Sequence, residues 1–285
     1  MSCVIEDEAI EWHPARLIRE NALGANEGFA LIVLNQPLHH LNLTRRLWKN
    51  ASTCIAADGG ANCLFEAGGR GRDASFDSLG VIIGDLDSLR DEVRAYFESR
   101  SAKVIHDPDQ YSTDFGKAVK YVRDRIAEVD IVAIGGLGGR VDQGLSQLHH
   151  LYLFQQHPRY ADGRMYLFSG ESLTFLLKSG HHRIVVREPE PGPEGERGVN
   201  GGAAQGPEVF DKYVGIIPVK EPSRITTRGL EWDVADWDTE FGGQMSTSNH
   251  VLPDTKVVEV TTTRDVLFTI ALRPLSSTGI CRGTS

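Results

Sequence analysis

The segment Gly84-Asp85-Leu86-Asp87-Ser88 closes an apolar run, residues 81–83, with two carboxylates two positions apart. If the chain stays extended there, Asp85 and Asp87 point to one side. Carboxylates that close repel each other, and a hard cation relieves the repulsion. Mg2+ suits this setting, because one or two carboxylates, waters and substrate phosphates complete its shell. The competing reading of Asp-x-Asp alone is a solvated strand-end turn with a helix cap at Ser88.

Three other segments carry similar residue types. Asp58-Gly59-Gly60 follows an apolar run, and glycine lets a backbone approach a phosphate or ribose where a helix begins. A tight structural turn fits it equally well. In the segment 109–117, Ser112 or Thr113 can cap a helix, while Asp114 and Lys117 share a face three residues apart. They read either as a surface ion pair or as a third metal carboxylate beside a phosphate-binding ammonium. The run Gly135-Gly136-Leu137-Gly138-Gly139-Arg140-Val141-Asp142-Gln143 lacks the dinucleotide spacing and reads as a backbone anion cradle assisted by Arg140, or as a flexible turn. Further on, Trp232 reads as a core anchor or as a stacking surface for a cationic ring. The polar run Ser246-Thr247-Ser248-Asn249 exceeds what sandwich packing requires. The histidine pairs, including His149-His150, lack metal spacing and are read as surface or core residues.

The elements that must position these groups follow from periodicity. Apolar runs at 29–35, 52–57, 79–83, 103–106 and 130–134 read as five strands alternating with helices. Such alternation predicts an α/β domain on a parallel sheet, and right-handed crossovers bring the strand-end segments to one sheet edge. From about residue 164 the pattern becomes short strands between turns, which predicts an all-β sandwich or barrel. The expected organisation is a peripheral segment at 1–27, an α/β nucleotide domain at 28–160 and a β domain at 161–285. Residues 188–210, rich in Pro, Gly and Glu, are expected to be a disordered insertion.

The chain has 285 residues and a net charge of −9, from 30 basic and 39 acidic side chains. Without a long basic run, a nucleic-acid partner is not expected. No apolar stretch of about 18 residues appears, so no membrane span is expected. Cys3, Cys54, Cys63 and Cys281 have neither zinc nor disulfide-framework spacing, and the acidic start has no signal-peptide pattern. A cytoplasmic protein with reduced thiols is the expectation.

Taken in order, Ala57-Asp58-Gly59-Gly60-Ala61-Asn62, Gly84-Asp85-Leu86-Asp87-Ser88, Ser112-Thr113-Asp114-Phe115 with Lys117, Gly135 to Gln143, and Ser246-Thr247-Ser248-Asn249 resemble the thiamine pyrophosphokinases of eukaryotic, fungal type. The resemblance spans residues ~28 to 272 and implies an α/β ATP-binding domain followed by a β-sandwich, in a homodimer whose cleft is shared between subunits. It implies transfer of pyrophosphate from ATP to the thiamine hydroxyl, giving thiamine diphosphate and AMP. By position, Asp85, Asp87 and Asp114 would hold Mg2+, with Arg140 and Asp142 also catalytic. Asp58, Gly59, Gly60, Lys117, Gly138, Gly139, Arg140, Asp142 and Gln143 would surround ATP. Gln110, Trp232, Ser246, Thr247, Ser248 and Asn249 would lie near thiamine. The insertion at 188–210 departs from the shared core.

Two other functions compete. A phosphatase of the haloacid dehalogenase class would make Asp85 a covalent nucleophile and Asp87 the acid. It expects Thr or Val two residues after the second Asp, where this chain has Leu89. A thiamine- or nucleotide-binding module without catalysis is the third reading, and the presence of all three candidate carboxylates and Lys117 weighs against it.

Overall fold

The computed structural model describes residues 8–19, 28–126, 128–187 and 208–274. In chain order the strands are β1 (Ile10–Trp12), β2 (Phe29–Val33), β3 (Ala51–Ala57), β4 (Val81–Gly84), β5 (Lys103–His106), β6 (Ile131–Ile134), β7 (Met165–Phe168), β8 (Ser172–Leu177), β9 (Gly180–Val185), β10 (Phe210–Ile217), β11 (Ser223–Arg228), β12 (Trp237–Thr239), β13 (Ser246–His250), β14 (Val257–Thr262) and β15 (Val266–Leu272). The helices are α1 (Leu41–Asn50), α2 (Gly60–Ala67), α3 (Asp91–Glu98), α4 (Asp114–Arg125) and α5 (Val141–Leu153).

The five expected strands, β2 to β6, pair in parallel in the order β6-β2-β3-β4-β5. Both faces of this sheet are covered. Leu31 and Val33 of β2 enter one apolar cluster, whereas Ala30 and Ile32 enter the other, as a period of two requires. Strand order reverses between β2 and β6, so the segments after them diverge and leave a crevice at the carboxyl edge.

The change of pattern near residue 161 is not a break in the sheet. β7 extends the parallel part beside β6, and β8, β15, β10 and β13 continue it in antiparallel fashion to a ten-stranded sheet. A second sheet, β1-β9-β14-β11-β12, completes the sandwich. Its inward residues Ile184, Val258, Val260 and Ile225 share one core with Leu173, Phe175, Phe268 and Ile270 of the large sheet. β12 and β13 are short and mostly polar, and β1 is only three residues long, too short for its alternation to mark a strand.

Two expectations need correction. Residues 10–18 are not peripheral: β1 pairs in parallel with β9, and Trp12 is fully buried. The Trp12 ring stacks on Phe175 at 4.5 Å between centroids, and its Nε1–H donates to His182 Nδ1 at 3.0 Å. The expected insertion also ends earlier than residue 210. Residues 188–207 lie outside the described residues, but Glu208 pairs with Arg187 at 2.8 Å and buried Phe210 opens β10. Among the described residues, no helix is long and apolar enough to cross a membrane.

Candidate active site

Three strand or helix ends converge at the carboxyl edge of the parallel sheet. β3 ends just before Asp58, β4 just before Asp85, and α4 begins at Asp114. The carboxylates of Asp58, Asp85 and Asp114 each offer an oxygen within 4.8 Å of the others. Asp58 is only 3% exposed; Oδ2 accepts the Ser88 N–H at 3.1 Å, and Oδ1 is buried without a hydrogen-bond partner. Asp114 Oδ1 accepts the Asp85 N–H at 3.3 Å. Burial, reinforced by the nearby Asp85 and Asp58 carboxylates, pushes the Asp114 pKa above its ordinary value. A buried carboxylate oxygen lacking a donor, beside two further carboxylates, fits a hard divalent cation.

Of the expected set Asp85, Asp87 and Asp114, the structure brings together Asp85 and Asp114, with Asp58 beside them. Leu86 has φ 65°, so the strand does not continue through it, and Asp87 is exposed and outside the three-carboxylate group. Its backbone N–H turns back to Asp85 Oδ1 at 3.2 Å. Asp58 is the third carboxylate of the group. It stands in the same strand-end context as Asp85 on the neighbouring strand, and that is the sequence signal for it.

Around this group lies a cavity of about 580 Å3, lined by Gln110, Ser112, Thr113, Arg140, Gln143 and Gln147 among others. Gln110 Nε2 lies 3.5 Å from Asp85 Oδ2. Lys117 is 2% exposed, with Nζ 3.4 Å from Asp114 Oδ1, so the pair is buried on the lysine side and is not the surface pair. Arg140 and Asp142 are exposed and paired through two hydrogen bonds of 3.1 and 2.6 Å. The bond to Arg140 holds the Asp142 pKa below its ordinary value. Asp142 thus meets the cavity through Arg140. Arg140 is the N-cap of α5 and makes no side-chain cap bond, while the Asp142 carboxylate takes backbone N–H groups of that first turn.

The glycines divide by role. Gly59 and Gly60 do not line the cavity; a Cβ on Gly60 would lie 2.2 Å from Val33 O, so they let α2 pack on β2. Gly138 and Gly139 line a second cavity of about 590 Å3, which shares Gln36 and Gly135 with the first. Both cavities sit at the crevice between β2 and β6.

The remaining expected residues lie elsewhere. Ser246, Thr247, Ser248 and Asn249 form β13, the far edge strand of the large sheet, eight strand spacings from β4. At about 4.8 Å per spacing this is ~38 Å along the sheet. Trp232 is 55% exposed and so is no core anchor. Its turn is held by Asn249, whose Oδ1 accepts the Trp232 N–H at 3.2 Å and whose Nδ2 donates to Trp232 O at 2.9 Å. The indole lies 5.0 Å from the His250 ring.

Comparison with known proteins decides the family. The model of the thiamin pyrophosphokinase catalytic domain matches residues 44–161, and that of the thiamin pyrophosphokinase vitamin B1 binding domain matches residues 203–267. Thiamine pyrophosphokinase 3 of Oryza sativa subsp. japonica is 34% identical over 86% of this chain and 87% of its own length. The chain belongs to the thiamine pyrophosphokinase family. Thiamine pyrophosphokinase 1 of Arabidopsis thaliana is likewise 34% identical, over 86% of each chain. The fold of this thiamine pyrophosphokinase family member also matches the crystal structure of yeast thiamin pyrophosphokinase, with a TM-score of 0.76 at 23% identity, covering 96% of this chain and 94% of that one. Membership of this family sets aside the haloacid dehalogenase reading of Asp85.

Proposed function

We propose that the protein transfers the pyrophosphoryl group of ATP to the hydroxyl of thiamine, releasing thiamine diphosphate and AMP. The hydroxyl oxygen bonds to the β-phosphorus as the bond from that phosphorus to the α–β bridging oxygen breaks, and the hydroxyl proton is lost. The observation that carries this reading is the Asp58, Asp85 and Asp114 group with its partnerless buried oxygen, set at a crevice of family pattern.

Asp58, Asp85 and Asp114 would hold Mg2+, which supplies positive charge to the triphosphate when bound. Lys117 adds a buried ammonium beside Asp114. Arg140 can exchange its carboxylate partner for a phosphate, which suits the same bidentate geometry. Gln110 and Gln143 line the same cavity and serve to orient the reacting groups. The second cavity, on Gly138 and Gly139, gives room for the nucleoside end.

Thiamine is a cationic aromatic, and the exposed indole of Trp232 with the Ser246, Thr247 and Ser248 hydroxyls suits it. Across ~38 Å of sheet, an acceptor held there cannot meet a phosphate at Asp85 of the same chain. A homodimer in which β13 of one copy faces the carboxylates of the other supports the reaction. The free thiols of Cys54 and Cys63 suit a reducing, cytosolic setting.

The test is a product assay with purified protein, ATP, Mg2+ and thiamine. Equal amounts of AMP and thiamine diphosphate are expected. ADP with thiamine monophosphate would make the protein a simple kinase, and binding without turnover would leave a non-catalytic module.

A further inference from the structure

His150 belongs to a histidine pair that the sequence leaves without a role, and it is 4% exposed beneath the start of α4. Its two ring nitrogens face different elements. Nδ1 meets the carbonyl of Ser146 one turn earlier in α5, and Nε2 lies 2.8 Å from Thr113 Oγ1. A carbonyl only accepts, so Nδ1 carries the hydrogen and Nε2 is the acceptor. The Thr113 hydroxyl therefore donates to His150, while its oxygen accepts the Gly116 N–H at 3.0 Å and caps α4. Burial lowers the His150 pKa, which agrees with the neutral ring that this chain of bonds requires.

The surroundings fix the ring as well as its protons. Phe115 packs against it at 5.0 Å and Phe154 at 5.7 Å between centroids. The position of a Cβ on Gly116 lies 3.4 Å from Nε2, so α4 packs directly against the ring there. Three positions earlier on the same helix face, Gln147 Nε2 donates to Gly136 O at 2.8 Å. α5 thus ties down both the glycine segment and the cap of α4.

Asp114, next to Thr113, is the one member of the carboxylate group that stands on a helix. Three carboxylates with oxygens within 4.8 Å of one another push apart, and Asp114 stays only where the first turn of α4 is held. We propose that His150 is a positioning residue for pyrophosphoryl transfer: by locking the Thr113 hydroxyl it seats Asp114 against Asp58 and Asp85 before a cation arrives. This rests on the reading of those carboxylates as the cation site.

The test compares His150→Phe, which keeps the stacked ring and loses both nitrogens, with His150→Gln, whose amide oxygen can accept from Thr113. Mn2+ binding is titrated calorimetrically without ATP, alongside kcat, the KM values and Tm. His150→Phe should weaken Mn2+ binding and lower kcat, each roughly tenfold or more, as loss of an outer partner of a metal ligand does. The KM for thiamine should not move, and His150→Gln should recover most of both losses. Adding Thr113→Val to His150→Phe should cost less than Thr113→Val costs alone, because the two share the Thr113–His150 bond while the valine also removes the cap on Gly116.

Wild-type Mn2+ affinity and kcat in His150→Phe, with only Tm lowered, would overturn the proposal. So would His150→Gln as impaired as His150→Phe. If His150→Phe does not fold, Thr113→Val and His150→Gln decide together: unchanged Mn2+ affinity in Thr113→Val sinks the proposal, and a loss of about tenfold there, with His150→Gln near wild type, supports it. Wild-type protein that neither binds Mn2+ nor forms thiamine diphosphate would instead remove the reading on which the proposal stands.

Discussion

Gly84 leaves no room for a methyl group beside Asp114: an added Cβ would lie 2.9 Å from Asp114 Oδ1 and 2.7 Å from the Asp58 Cβ. The end of β4 therefore has to be glycine for three carboxylates to meet. Gly84→Ala should lower kcat by about two orders of magnitude, because a displacement of about 1 Å at the site costs that much. Steady-state kinetics, with circular dichroism to confirm folding, check it, and near wild-type turnover would contradict this account of Gly84.

Trp12 shows that the N-terminal strand is part of the core. Its ring is fully buried against Phe175, with Tyr160 and Tyr166 edge-on and the Arg164 guanidinium 4.3 Å from the ring centroid. Trp12→Ala should cost about 3–5 kcal/mol of stability. Urea unfolding measures it; a loss below about 1 kcal/mol would return residues 10–12 to the periphery.

The distance between β13 and the carboxylates makes the shared site testable by mixing. Asp85→Asn and Trp232→Ala variants should each be nearly inactive alone. Unfolded and refolded together in equal amounts, they should regain about a quarter of wild-type activity, since half of the dimers are mixed and each mixed dimer has one intact site. No recovery, with dimers confirmed by light scattering, would confine each site to one chain.

His182 offers a pH-dependent readout of the same core as Trp12. Burial is the main cause that lowers its pKa to about 4, opposed by the hydrogen bond to Lys178 O, with Arg164 and His181 lowering it and Asp265 raising it slightly. The folded pKa lies below the unfolded value of about 6.5, so its contribution is complete above that value and is lost as pH falls toward 4. Imidazole nitrogen shifts should show His182 neutral at pH 5.5, where a surface histidine is mostly protonated. A midpoint near 6.5 would mean that the ring is not buried as described.

Much of the site is legible in the sequence because strand-end chemistry is local. An apolar run followed by Asp and Gly predicts both the buried strand and the polar edge, and β2 to β6 lie where periodicity places them. Thr113 caps α4 as its type and position suggest. That Asp58, and not Asp87, lies close to Asp85 and Asp114 was not legible, because it turns on the left-handed backbone at Leu86, which the Asp-x-Asp spacing does not encode. Trp232 and His150 show the same limit in opposite directions: a tryptophan for which core anchor is one of two readings is exposed, and a histidine that reads as incidental joins α5 to α4.

By itself, the sequence determined the family, the alternation of strands and helices, and the residue types gathered at the parallel sheet's edge. These depend on periodicity and on short contiguous motifs. Only the tertiary structure decided which carboxylates share one space, that Trp12 completes the sandwich core, and that β13 lies at the far edge from Asp85. Such facts arise from the pairing of strands distant in sequence, and a pairing leaves little local trace when the strand is only three residues long, as β1 is, or wholly polar, as β13 is.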